Sequence, residues 1–120
     1  MSHKTFTLFL APSVAALSFS IAAPVGAATF TTFDPPGAGE TLPYSINASG
    51  MITGFYITSN DKGHGFVRET DGTITVFDAI SKAAYTRPAG FDADGNIAGS
   101  FTDHHRKSRG FIRSTSGTVT

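Results

Sequence analysis

The feature that most constrains this chain is that it repeats itself. Shifted by 45 positions, residues 46–75 fall on 91–120 without a gap, and about two positions in five are identical. Ala48-Ser49-Gly50-Met51-Ile52-Thr53-Gly54-Phe55-Tyr56 meets Ala93-Asp94-Gly95-Asn96-Ile97-Ala98-Gly99-Ser100-Phe101. Gly65-Phe66-Val67-Arg68 then meets Gly110-Phe111-Ile112-Arg113, and Gly72-Thr73-Ile74-Thr75 meets Gly117-Thr118-Val119-Thr120. A period of this length marks one supersecondary unit used more than once, as in solenoids, propellers and arrays. The chain therefore divides into a first repeat over 46–90 and a truncated second one over 91–120. Residues 29–45 precede them as the strand and loop that end a unit.

Each repeat reads as an antiparallel meander. Ile52, Gly54 and Tyr56 share one face of a strand at period two, as do Ile97, Gly99 and Phe101. Gly54 and Gly99 mark places where a neighbouring backbone or ring approaches closely. A polar loop follows, over 59–63 or 103–108, and then a second strand near Gly65 to Glu69. Asp71-Gly72 turns the chain into a third strand, Thr73 to Asp78, with Ser116-Gly117 in the matching place. A two-residue turn there sets Phe66 opposite Phe77 and Val67 opposite Val76. Phe66 and Phe77 then share one face, and Val67, Ile74 and Val76 the other. Both faces are partly apolar, which favours a blade covered on both sides over a two-layer sandwich. Phe30-Thr31-Thr32-Phe33-Asp34 matches Ile74-Thr75-Val76-Phe77-Asp78, so the first strand is the last of a unit. That phase suits strand-exchange closure, and it equally suits a piece cut from a longer array. The expected fold is all-β, made of propeller-blade-like meanders of about 45 residues and incomplete as a single chain.

Together, Phe33-Asp34-Pro35-Pro36-Gly37-Ala38-Gly39, Ile46-Asn47 with Gly50, Ile52, Gly54 and Tyr56, and His64-Gly65-Phe66-Val67-Arg68 with Asp71-Gly72-Thr73 resemble the HAF-type bacterial extracellular repeat. The second repeat keeps Gly95, Ile97, Gly99, Phe101, Gly110, Phe111, Arg113 and Gly117. It departs from the pattern at Arg109, in place of the histidine, and at Ser116, in place of the aspartate. The resemblance implies export and a propeller-like β fold, in arrays longer than this one. It brings no catalytic residues.

The first residues are of another kind. Lys4 with His3 forms a short positive segment, an apolar stretch runs from Phe6 to Ala23, and small residues follow at Val25-Gly26-Ala27-Ala28. That is the pattern of a cleaved export signal over 1–28, with Ala28 or Thr29 opening the mature chain. A membrane anchor needs about 20 continuous apolar residues, and Pro12 with Ser13, Ser18 and Ser20 interrupts the run. The expected location is therefore periplasmic or extracellular, with no membrane association after cleavage. Small exported domains usually carry disulfides, yet this sequence has no cysteine. Stability from repetition is the alternative, so self-association or membership of a longer array is expected.

Chemistry is sparse. Formal charge is zero and only 15% of residues are charged, which argues against nucleic acid as a partner. Asp92-Ala93-Asp94-Gly95-Asn96 resembles the opening of a calcium loop, making Asp92, Asp94 and Asn96 the weak metal candidates, with Asp103 further on. An EF-hand needs glycine where Ile97 stands, and helices on both sides, so a polar turn is the competing reading. His104, His105 and His64 have no metal-ligand spacing. Arg106, Lys107 and Arg109 form the one basic cluster, either a polyanion site or a charged loop that protects a strand edge. Arg68 and Arg113 are expected to cover apolar surface with their stems and to pair with an acid. Asn47-Ala48-Ser49 is a glycosylation triplet by letter. No Gly-x-Ser-x-Gly or phosphate loop appears, and no cofactor is implied. The expected role is a secreted, non-enzymatic β-repeat module, structural or binding an extracellular or cell-surface partner. Its rivals are a piece or subunit of a larger propeller enzyme acting on carbohydrate, with catalytic groups elsewhere, and a calcium-stabilised array.

Overall fold

A computed structural model describes residues 26–120; residues 1–25 of the expected export signal lie outside it. The fold is that of Phe33–Thr120 and is all-β. Its strands are β1 (Ala38–Ile46), β2 (Ile52–Thr58), β3 (Gly63–Arg68), β4 (Ile74–Phe77), β5 (Tyr85–Phe91), β6 (Ile97–Thr102) and β7 (Ser108–Arg113). They form one mixed, open sheet in the order β1-β2-β3-β5-β6-β7, with β4 also on β3. Neighbours in each run are antiparallel, and a single parallel bridge, Gly63 to Tyr85, joins β3 to β5. Gly63 N–H donates to the Ala84 carbonyl, and Ala84 N–H to that of Thr102.

Four strands precede Tyr85, but the first is not the expected one. The strand expected over 30–34 does not form; β1 lies later, within the segment taken for a loop. Pro35-Pro36 cannot donate to a ladder, and the chain instead turns through Gly37, with Ala38 N–H donating to the Pro35 carbonyl. β1 and β5 evade period-two reading because each is bulged after a proline. Pro43 pairs with Gly54 and Ser45 with Thr53, leaving Tyr44 extra; Pro88 pairs with Gly99 and Gly90 with Ala98, leaving Ala89 extra. Proline is tolerated at such edges and bulges.

The hairpin after β3 also differs from expectation. Glu69 and Thr73 close a loop of three residues, with Gly72 N–H donating to the Glu69 carbonyl and Gly72 at φ +94°. A left-handed third residue is the three-residue hairpin solution. The register therefore moves by one: Gly65 faces Phe77, Phe66 faces Val76 and Val67 faces Thr75. Phe77 lies on the face of Val67, and Val76 and Ile74 on that of Phe66, the reverse of the sequence-based assignment. The same loop closes at Asn47, Thr58, Asp92, Asp103 and Ser114, with Gly50, Asp61, Gly95, Arg106 and Gly117 left-handed.

Burial explains how the strands stack. Phe66 is 0% and Val67 2% exposed, so adjacent residues on opposite faces of β3 are both out of water. Each such side chain contributes about 1.5–3 kcal/mol. The Phe66 face is covered by Phe33, edge-on at 5.8 Å, with the Arg68 guanidinium 5.2 Å from the Phe33 ring. The Val67 face packs on Ile97, Phe101 and Phe111 of the strands after the bridge. There Phe77 meets Phe111 edge-on at 6.0 Å, and Arg113 lies 4.8 Å from Phe77. The two contacts use the same residue types at matching sequence positions.

Gly54 and Gly99 are close-approach positions. A Cβ at Gly54 would sit 2.1 Å from the Leu42 carbonyl oxygen, and one at Gly99 would sit 2.3 Å from that of Arg87. Both obstacles are backbone at the bulges, which side-chain rotation cannot relieve. At Gly90 an added Cβ would meet Ser45 Oγ at an ordinary 3.7 Å. Gly54→Val and Gly99→Val are each expected to lose at least about 1–3 kcal/mol, and Gly90→Ala less than about 0.5 kcal/mol. Urea melts of the three variants check this; equal stability of Gly99→Val and Gly90→Ala would contradict the assignment.

Candidate functional site

The calcium candidates are parts of a hairpin. Asp92 Oδ1 accepts the N–H groups of Asp94 and Asn96, and its Oδ2 accepts the Asn96 side-chain amide, each at 2.9 Å. These bonds, the Asn96 amide first, hold the Asp92 carboxyl below the usual carboxylate range. Asn47 does the same work without charge, accepting from Ser49 and Met51. Asp103 does it for His105 and Lys107. A capping side chain that mimics the backbone is the ordinary use of Asp and Asn in turns. Among the described residues no three His, Asp or Glu side chains come together.

The histidines separate. His104 and His105 occupy the loop after Asp103, their rings 4.0 Å apart. His64, on β3, places Nδ1 2.7 Å from Asp78 and lies against Tyr56 at 5.4 Å. Burial, then the Asp78 charge, raises the Tyr56 phenol. In the basic cluster Arg106 is the left-handed loop residue, and Arg109 Nε pairs with Asp103 at 3.3 Å, an exposed guanidinium on a buried carboxylate. The cluster is thus a charged hairpin closed on its own acid. The Lys107 N–H, above all, lowers the Asp103 pKa.

Arg68 and Arg113 do cover apolar surface, but neither pairs with an acid. Each stacks on a phenylalanine and donates at 3.4 Å to the next residue's carbonyl, Glu69 or Ser114. The buried Nε of each lacks a partner. Cation–π attraction, about 0.5–2 kcal/mol, replaces the expected ion pair because the ring is what the neighbouring segment presents.

A different group of side chains converges at the two bulges. Tyr44 is 57% exposed and stacks on Phe55 at 5.5 Å and 26°. Arg87, on β5, sets its guanidinium 4.4 Å from the Tyr85 ring and 5.5 Å from the Phe55 ring. Tyr85 donates its hydroxyl to Asp61 at 2.9 Å, the first cause of its raised pKa. Tyr44, Arg87, Pro88, Ala89 and Ser100 line a cleft of about 220 Å³. Sequence reading missed this cleft. The signal that could have found it is Pro43-Tyr44 and Pro88-Ala89 standing 45 positions apart inside extended segments. Larger hollows, of about 370 and 530 Å³, lie over the open face of β6 and β7 around Ala98 and Ile112. Their polar side chains, Asp92 and Asn96 in the first and Thr120 in the second, belong to turns or the last paired residue.

Comparison with protein-family models, curated proteins and solved structures gives no match.

Asp92 and Asp103 make stability pH-dependent in a known direction. Folding lowers their pKa, so their contribution is present above the ordinary carboxylate value and is lost as pH falls through the folded-state value. Asp92→Asn and Asp103→Asn keep the turn acceptor, as Asn47 does. Both are expected to melt near the parent at pH 7 and to show a flatter decline below about pH 4; parallel acid limbs would contradict this. Because Asp92 is saturated by its own turn, adding EDTA is expected to move the parent melting temperature by less than about one degree.

Proposed function

We propose that this chain is an exported, non-enzymatic β-repeat module of the HAF type, whose meanders stack like propeller blades and present a binding surface to an extracellular or cell-surface partner. One observation carries the stacking. On the first meander, the face bearing Thr53, Gly65 and Val67 is buried, with Thr53 at 0% and Val67 at 2% exposure. The matching positions on the second are Ala98, Gly110 and Ile112, and all three are exposed, Ile112 at 56%. The same surface is covered where a following unit packs on it and bare where none is present. A further unit, supplied in the same chain or by a copy, fits that face.

Export is supported by the leader-like sequence over 1–28. N-terminal sequencing of cell-free fractions is expected to read from Ala28 or Thr29; a chain that retained Met1 would overturn export. For stacking, the exported chain is expected to associate with rising concentration in sedimentation velocity. Ile112→Arg is expected to abolish that association while changing stability by less than about 0.5 kcal/mol. Val67→Arg, at the matching covered position, is expected to unfold the protein. Association unaffected by Ile112→Arg would contradict the reading.

A further inference from the structure

We propose that the cleft between the bulges of β1 and β5 binds a single acidic sugar residue, a hexuronate ring of an acidic polysaccharide. The inference deepens the module reading, since it names what the module's surface would hold.

The argument begins with Arg87. Among the described residues the ion pairs are His64–Asp78 and Arg109–Asp103, so Arg87 has no carboxylate partner. It is nevertheless held in place, its guanidinium against the rings of Tyr85 and Phe55. A planar cation already ordered by aromatic contacts loses little freedom when it takes a ligand. Guanidinium binds a carboxylate through two parallel hydrogen bonds. The nearby Asp61 accepts from the Tyr85 hydroxyl.

Tyr44 supplies the second element. The bulge throws it out of the strand alternation, and its ring, seated on Phe55, keeps more than half its surface in water. A pyranose has an apolar C–H face that suits such a ring and hydroxyl edges that suit Ser100 at the cleft wall. The volume of about 220 Å³ falls below the roughly 300–1,000 Å³ of sites for larger ligands. It matches one ring at a time. Pro88 and Ala89 add no polar side chain to the lining, so the cleft offers one charge, one stacking surface and the hydroxyls of Ser100 and Tyr44.

Titration calorimetry of the exported chain at low salt, with trigalacturonate and with neutral trigalactose, tests the inference. Trigalacturonate is expected to bind at least tenfold more tightly than trigalactose. Arg87→Met, which keeps the stem on its aromatic neighbours, is expected to weaken trigalacturonate at least tenfold. Tyr44→Ala, at an exposed position, is expected to weaken it at least threefold, and decides the matter if Arg87→Met fails to fold. Free galacturonate is expected to bind more weakly with the same dependence on Arg87, separating the ring from the polymer. Equal affinity for the acidic and neutral trimers, or wild-type affinity in either variant, overturns the proposal. Failure of a cooperatively melting parent to bind trigalacturonate also overturns it and leaves stacking and export standing.

Discussion

Everything in this structure depends on β3 being buried on both sides. Side chains alternate across a strand, so Phe66 and Val67 point in opposite directions, yet each is almost fully removed from water. A flat sheet open to water on one side cannot achieve that. The segment around Phe33 covers one face, and the strands after the Gly63–Tyr85 bridge cover the other. Open, glycine-rich strands without disulfides are otherwise poor at specifying a register. Here the two-sided packing specifies it, since a one-residue slip would exchange Phe66 and Val67 between unlike surroundings.

Small residues elsewhere let neighbouring strands approach closely. Gly65 leaves room for Phe77 and Pro88, and Gly54 and Gly99 let the bulged strands β1 and β5 close on β2 and β6. Among the described residues six three-residue hairpin loops, closed by Asn47, Thr58, Glu69, Asp92, Asp103 and Ser114, turn the chain in the same way. The arginines seal the stack by lying on the phenylalanine that the preceding segment offers, which spares the interior a carboxylate and its desolvation. The β1 bulge also projects Tyr44 beside Arg87, so the cleft is a by-product of the same geometry.

Much of this was legible in the sequence, and the failures have physical causes. β2, β3, β4, β6 and β7 announce themselves through period two and through the match of 46–75 with 91–120. β1 and β5 do not, because Pro43 and Pro88 stand inside them and a bulge breaks the alternation. The Asp71-Gly72 pair was a correct turn signal read with the wrong loop length; Glu69 and Thr73 make the closing pair, and the one-residue error sent Phe77 to the wrong face. The regular spacing of the turns was hidden because Asp61 and Arg106 take the left-handed position that glycine takes elsewhere. The expected acid partners of Arg68 and Arg113 could not be told from aromatic ones, since sequence does not say which side chain a neighbouring segment presents. The cleft gathers Tyr44, Arg87 and Ser100 from three strands and has no local motif.

The central claim is that the strands after the bridge cover the Val67 face of β3, with Phe77 meeting Phe111 there. A double-mutant cycle with Phe77→Leu and Phe111→Leu, read from urea unfolding, measures that contact directly. An edge-on aromatic pair is worth about 0.5–1.5 kcal/mol beyond burial. The account predicts a coupling energy in that range, lost equally from either side. Additive effects, with no coupling, would mean that the two rings do not meet and that β3 is not covered on its Val67 face as described.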